Sequence, residues 1–263
     1  MLFIVAGTFA VVYGILYVAN LIHPVLRFCL ETFFIYQILA TKSLKTESMK
    51  VYKKLKEGDL IGARKEVSYL VGRDTENLDE SEVAKADVET IAENTADGVI
   101  APMLFIAIGG APLGFAYKAV NTLDSMVAYK NEELINIGFF SAKMDDICNF
   151  IPARFAAVML MIASLILRFD FKGAVKIFKR DRFAHLSPNS AQTEAVAAGA
   201  LQIQLGGTHN YFGKAVVKPT IGDDIRPVEY EDIKRTNQLL YVSAVLSMAV
   251  CCLITFLIYV QLF

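Results

Sequence analysis

Carboxylates and amides recur in short islands set into hydrophobic sequence. They read Glu93-Asn94-Thr95-Ala96-Asp97-Gly98, then Asn121-Thr122-Leu123-Asp124-Ser125-Met126, then Asp145-Asp146-Ile147-Cys148-Asn149-Phe150-Ile151-Pro152-Ala153-Arg154, and last His185-Leu186-Ser187-Pro188-Asn189-Ser190. A carboxylate beside an apolar segment is costly unless it is paired, solvated or metal-bound. The islands therefore point to a polar site in or against a membrane. Glu89, Glu93 and Asp97 recur at i, i+4 and i+8. If one helix carries all three they share a face, and they repel each other unless a cation sits among them. Asn121 and Asp124 form an i, i+3 pair, and Asp145, Asp146 and Asn149 a third cluster. Such oxygen donors suit Mg²⁺, which takes one or two carboxylates together with substrate phosphates. Arg73, Lys118 and Arg154 are candidate phosphate clamps, since Arg meets phosphate as a bidentate fork.

Each residue also has a plainer reading. Glu89 reads as a solvated helix charge, and Arg73-Asp74 as a surface ion pair. Asp145 and Asp146 can cap the helix that follows. Arg154 can snorkel to the headgroups. Gly206-Gly207 reads as a turn, His185 as a loop histidine, and His23, next to Pro24, as structural. No nucleophile–base triad, Walker A loop or Rossmann glycine fingerprint is present.

The chain that must position these groups is 55% hydrophobic, with a mean hydropathy of +0.44. An ordinary soluble domain holds roughly 45–50% apolar residues. Another 20% of residues are charged and clustered, so membrane segments alternate with polar regions. A net charge of -1 gives no bias toward nucleic acid. Cys29, Cys148, Cys251 and Cys252 contain no Cys-x-x-Cys pair, and His23, His185 and His209 lack zinc-ligand spacing.

Leu2–Leu21 is uncharged and long enough to span, with no basic lead of the kind a signal peptide carries. Pro24 bends the chain before a second apolar piece, Leu26–Ala40, which holds Arg27 and Glu31. Residues 41–96 read as cytoplasmic helices: lysines crowd the start, Gly58-Asp59 stops one helix and caps the next, and Asp79-x-x-Glu82 forms a capping box. Within residues 97–167, Val99–Tyr117 is broken by Pro102, Gly109-Gly110, Pro112 and Gly114, as a re-entrant or discontinuous helix would be. Ile147–Leu167 reads as a further apolar helix. Its basic flank, from Arg168 to Arg182, places that end in the cytoplasm. Residues 168–238 form a second cytoplasmic region, and residues 239–263 the clearest spanning helix. There is too little strand signal for a sheet. The expected fold is all-α and polytopic, one membrane domain with cytoplasmic helical regions.

The islands, in this order, resemble the CobD/CbiB family of membrane-bound cobalamin biosynthesis proteins, the adenosylcobinamide-phosphate synthases. Further matching residues are Ala40–Leu44, Val71-Gly72-Arg73-Asp74-Thr75, Ala101-Pro102, Gly109-Gly110-Ala111-Pro112 and Tyr117. Later ones are Glu194, Gly199-Ala200-Leu201, Leu205-Gly206-Gly207 and Tyr211. The resemblance runs from about Phe33 to Asn237. Two departures stand out. His23-Pro24-Val25 has no Gly-Asp-Pro before it and is set outside the resemblance, as if the chain started late. Gln192-Thr193 stands where the family often has an aromatic-Pro pair before the Glu.

The resemblance implies an ATP-dependent amide ligase in the cytoplasmic membrane, with its active site facing the cytoplasm. It would join adenosylcobyric acid, a corrinoid, to aminopropanol or its O-phosphate. Mg²⁺ and ATP are the implied cofactor and co-substrate. Asp97, Asp124, Asp145 and Asp146 take the metal and nucleotide role. Arg73, Lys118, Arg154, His185 and Asn189 bind nucleotide, Glu93 is the general base toward the amine, and Asn94 and Asn121 orient substrate. Other cobalamin-assembly membrane enzymes, or a second copy of the chain, are the expected protein partners. Two other readings stand beside it. A non-catalytic membrane sensor has no need of the buried acids. A small-solute transporter would explain the broken Val99–Tyr117 segment, but the chain shows no two similar halves.

Overall fold

The computed structural model describes residues 1–127, 135–211 and 213–262. In chain order the elements are α1 (Leu2–Ile22), α2 (Pro24–Ile38), α3 (Thr41–Lys56), α4 (Leu60–Ser68) and α5 (Glu80–Asn94). A π-helical turn, Thr95–Ile100, leads into α6 (Ala101–Val127) and α7 (Ile135–Ile166). Then come α8 (Phe171–Asp181), α9 (Ser190–Leu201), strands β1 (Leu205–Tyr211) and β2 (Lys214–Ile221), and α10 (Tyr230–Leu262). Among the described residues four helical stretches are long and apolar enough to cross a membrane: Leu2–Ile22, Glu80–Met126, Gly138–Ile166 and Tyr230–Ile258. The chain is an all-α polytopic membrane protein.

Two compact units divide it. The first contains Met1–Ala40, Asp97–Pro152 and Ser247–Phe263. Here α1 packs on α2 and α6 around Val12, Leu16 and Ala111. His23, in extended backbone, ends α1 and caps α2 by accepting the Val25 N–H at 3.2 Å, while Pro24 supplies the first helical position. The break expected in α6 falls at Gly109 and Gly110, where the backbone leaves helical geometry. Gly110 has φ +65° and ψ -166°, a conformation almost confined to glycine. The freed Ala111 N–H is met by the Glu31 carboxylate at 3.4 Å. An acid inside apolar α2 thus seals a broken helix, as irregular backbone at membrane depth requires.

The second unit contains Thr41–Ala96 and Ala153–Leu246. In α3 the stripe Leu44, Ser48, Val51, Tyr52 and Leu55 is buried, so its lysines face outward. Gly58 has φ +72°, and Asp59 caps α4 through the Gly62 N–H. Asp79 and Glu82 close the capping box of α5. Helix α9 is buried along its whole length, and its small residues let α8 pack closely on it.

Three expectations need correction. A sheet is present: β1 and β2 pair antiparallel, with an irregularity between Gly206 and Thr208. Pro219 and the paired glycines had masked the alternation. Asp145 and Asp146 are not caps, because α7 begins at Ile135 and carries both in its interior. The polar region up to residue 238 is not separate from the last apolar helix: α10 starts at Tyr230, capped by buried Asp232, which accepts the Glu229 N–H.

Candidate functional site

In the second unit, α5, α9, the hairpin and two loops enclose a polar crevice of about 170 Å³. The capping box fixes the start of α5, and the helical repeat then brings Glu89 and Glu93 to the crevice one turn apart. Arg73 enters from the loop before α5, His185 from the loop before α9, Glu194 from α9, His209 from β1 and Lys218 from β2.

Glu89 is the structural centre. It pairs with Arg73, and both side chains are 8% exposed. Its Oε1 also accepts the Gly206 N–H at 2.7 Å. Gly206 is required there: its φ is +72°, and a Cβ would collide with the Pro219 carbonyl. Arg73 Nη1 reaches both ring nitrogens of His209 at 3.2 Å. Burial, and then the Arg73 charge, push the His209 pKa down to about 4, so this ring is neutral near pH 7.

Glu93 accepts the Ser190 hydroxyl at 2.7 Å. Burial lowers the pKa of His185 against the opposing pull of Glu93. The His185 Nδ1 accepts the Ser187 N–H at 3.0 Å, which assigns the proton of the neutral ring to Nε2. Glu194 is 5% exposed. Burial first, then the neighbouring Glu93 and Glu89 carboxylates, hold it well above the usual carboxylate range.

Of the residues expected to act, Arg73, Glu93, Asn94 and His185 meet in this crevice. Arg154 and Asn189 do a different job within the same unit. Arg154 donates to the Asn189 side chain at 2.8 Å and to the Pro188 carbonyl at 3.3 Å, fastening the loop that carries His185. Asp97, Lys118, Asn121, Asp124, Asp145 and Asp146 belong to the first unit. There the Tyr117 hydroxyl meets the Asp97 carbonyl at 2.9 Å and Asn149 at 2.8 Å. Asn149 donates to Asp145 at 2.9 Å, Asn121 to the other Asp145 oxygen at 3.3 Å, and Lys143 pairs with Asp146 at 3.5 Å. The acid row therefore divides: Glu89 and Glu93 line the crevice, and Asp97 lies within the π-helical turn. Among the described residues no group of three or more His, Cys, Asp and Glu side chains is placed to hold a metal ion.

Sequence reasoning passed over Glu89 as a solvated charge, and gave no role to Glu194, His209 or Lys218. Glu194 had a signal: it is the only charged residue in Ser190–Leu201. Glu89 had one too, its i, i+4 spacing from Glu93, while His209 and Lys218 had none, because they come from a hairpin distant in sequence.

A family model described as CobD/Cbib protein matches residues 1–240, a stretch that takes in His23-Pro24-Val25 as well as the motifs from Phe33 onward. A cobalamin biosynthesis protein CobD of Clostridium perfringens is 54% identical over 253 residues, covering 96% of this chain and 80% of the relative. A cobalamin biosynthesis protein CbiB of Salmonella choleraesuis is 48% identical over 246 residues, 94% of this chain and 77% of the relative. A CobD of Listeria monocytogenes is 55% identical over 212 residues, 81% and 67% of the two chains. No solved structure matches.

Proposed function

We propose a function from one premise: this chain belongs to the CobD/CbiB family, and its place is in cobalamin biosynthesis. The finer reading is an ATP-dependent amide ligase of the cytoplasmic membrane, its crevice facing the cytoplasm. It joins adenosylcobyric acid to aminopropanol or its O-phosphate. The observation that carries this reading is a single crevice holding the cation Lys218, the Arg73 guanidinium paired with Glu89, and the acids Glu93 and Glu194. Making an amide from a carboxylate needs both kinds of group. A cavity of about 170 Å³ takes phosphate groups and a small amine, so the corrin ring lies outside.

In this scheme a carboxylate oxygen of the corrinoid attacks the γ-phosphorus of ATP. The new O–P bond forms as the bond to ADP breaks. The amine nitrogen then attacks the acyl carbon, the C–N bond forms, and phosphate leaves with the acyl C–O bond. Lys218 and Arg73 stabilise negative charge on the phosphates. The neutral His185 donates from Nε2. Glu93, with one oxygen held by Ser190, takes the proton the amine loses. Among the described residues no group of three or more His, Cys, Asp and Glu side chains gathers; Mg²⁺, which needs only one or two carboxylates, would come with the ATP phosphates and offset their charge.

The test is ligation by purified, detergent-solubilised protein given adenosylcobyric acid, aminopropanol phosphate and Mg²⁺-ATP, read by mass spectrometry. The expected result is an amide product matched by ADP and phosphate. Absence of product from folded protein, with phosphorylated and with free aminopropanol, overturns the ligase reading.

A further inference from the structure

Three acids border the crevice, and two of them are committed. Glu89 is held by Arg73 and Gly206, and Glu93 by Ser190. Glu194 is 5% exposed, yet among the described residues no hydrogen bond or ion pair reaches its carboxyl. An acid buried without a partner is destabilising, and native folds keep such groups where a ligand meets them. A complementary feature stands in the same crevice. Lys218 makes no ion pair among the described residues; its ammonium lies only over the Tyr211 ring, 5.2 Å from the centroid.

One buried acid, protonated while the crevice is empty, and one open cation in a single small cleft ask for a ligand whose ammonium end ionises the acid and whose anionic end meets the lysine. We infer that Glu194 and Lys218 form a seat for a small zwitterionic amino alcohol phosphate: Glu194 receives the ammonium end and Lys218 the phosphate end. The identity of the ligand rests on the ligase reading; the two-ended charge pattern does not. A divalent cation fits less well. Mg²⁺ demands octahedral oxygen ligation, and here Glu194 has only the committed Glu93 beside it, with Lys218 opposing. In this seat the amine lies next to Glu93, the base assigned to take its proton.

Calorimetric titration of the whole protein in detergent separates the two ends. The probes are aminopropanol phosphate, propyl phosphate, aminopropanol and Mg²⁺ alone. Glu194→Gln is expected to weaken aminopropanol phosphate by about tenfold or more while leaving propyl phosphate unchanged. Lys218→Gln is expected to weaken both phosphates and spare aminopropanol. Glu194→Asp, which keeps the carboxyl group, retains part of the affinity and guards against a folding defect. Equal affinity of wild type and Glu194→Gln for aminopropanol phosphate overturns the seat. So does binding of Mg²⁺ alone that Glu194→Gln abolishes, or failure of wild type to bind any amine or phosphate probe. The ligation assay on the same protein distinguishes the two failures. Product formation with an amine KM untouched by Glu194→Gln leaves the ligase standing and removes the seat. Charge-selective binding without product does the reverse.

Discussion

Glu89→Ala gives the sharpest test of how the crevice is held together. The substitution leaves the Arg73 guanidinium in a place where its side chain is 8% exposed, and also strips the Gly206 N–H of its acceptor. Removing one partner of a buried ion pair costs about 3–5 kcal/mol, because the surviving charge cannot regain its water. At about 1.4 kcal/mol per factor of ten, opening of the second unit becomes roughly a hundredfold to a few thousandfold more frequent. Amide hydrogen exchange read by mass spectrometry, on peptides covering Glu80–Asn94 and Leu205–Tyr211, measures this directly. The double variant Arg73→Met/Glu89→Leu removes both charges and fills the space with apolar groups, so most of the protection should return. If Glu89→Ala exchanges within about twofold of wild type in α5, below the effect of losing even one ordinary hydrogen bond, the pair does not organise the site.

Two further outcomes follow from particular residues. Glu194 has its folded-state pKa raised well above the ordinary 4.5, so its protonated form favours folding. That stability is fully present below 4.5 and is lost as pH rises through the raised value. Thermal melts of detergent-solubilised protein across that window should therefore fall more steeply with pH for wild type than for Glu194→Gln; parallel slopes would contradict the buried acid. Gly110→Ala places a Cβ 2.6 Å from the Glu31 carboxylate in a backbone conformation that L residues avoid. It should lower the melting temperature by several degrees for a strain of about 1–3 kcal/mol, while Gly7→Ala, inside α1 with nothing within 4 Å, does not lower it.

The parts of this fold legible in sequence are those set by neighbours a few residues apart. Asp79 and Glu82 close their capping box within one turn, Gly58-Asp59 punctuates two helices, and Pro24 starts α2 after a break. The apolar runs that make spanning helices are equally local. The crevice was legible only in part. Glu93 and Asn94 announced themselves as a polar island, but Glu89 looked like any solvated glutamate. Its partners are Arg73, 16 residues away, and the Gly206 N–H, 117 away, and no periodicity encodes such a meeting. The hairpin was hidden for a different reason: Gly206-Gly207 and Pro219 are poor strand formers, placed by a close backbone approach rather than by propensity. Asp145 and Asp146 resembled a cap because the helix that contains them starts ten residues earlier, at Ile135.

The hairpin closes onto a segment made much earlier. The Asp74 N–H donates to the Asn210 carbonyl at 2.8 Å, and the Gly213 N–H returns the contact to the Asp74 carboxylate at 2.8 Å, across 139 residues. This has a consequence for the order of synthesis. While the ribosome is still delivering α9, Arg73, Glu89 and Glu93 are only a charged surface beside finished helices. The crevice comes into being when β1 and β2 emerge, after α9 is complete. A nascent chain stalled before β1 holds most of the apolar segments and none of the enclosed site, so it can engage a bilayer but has no crevice for a small zwitterion until the hairpin has docked.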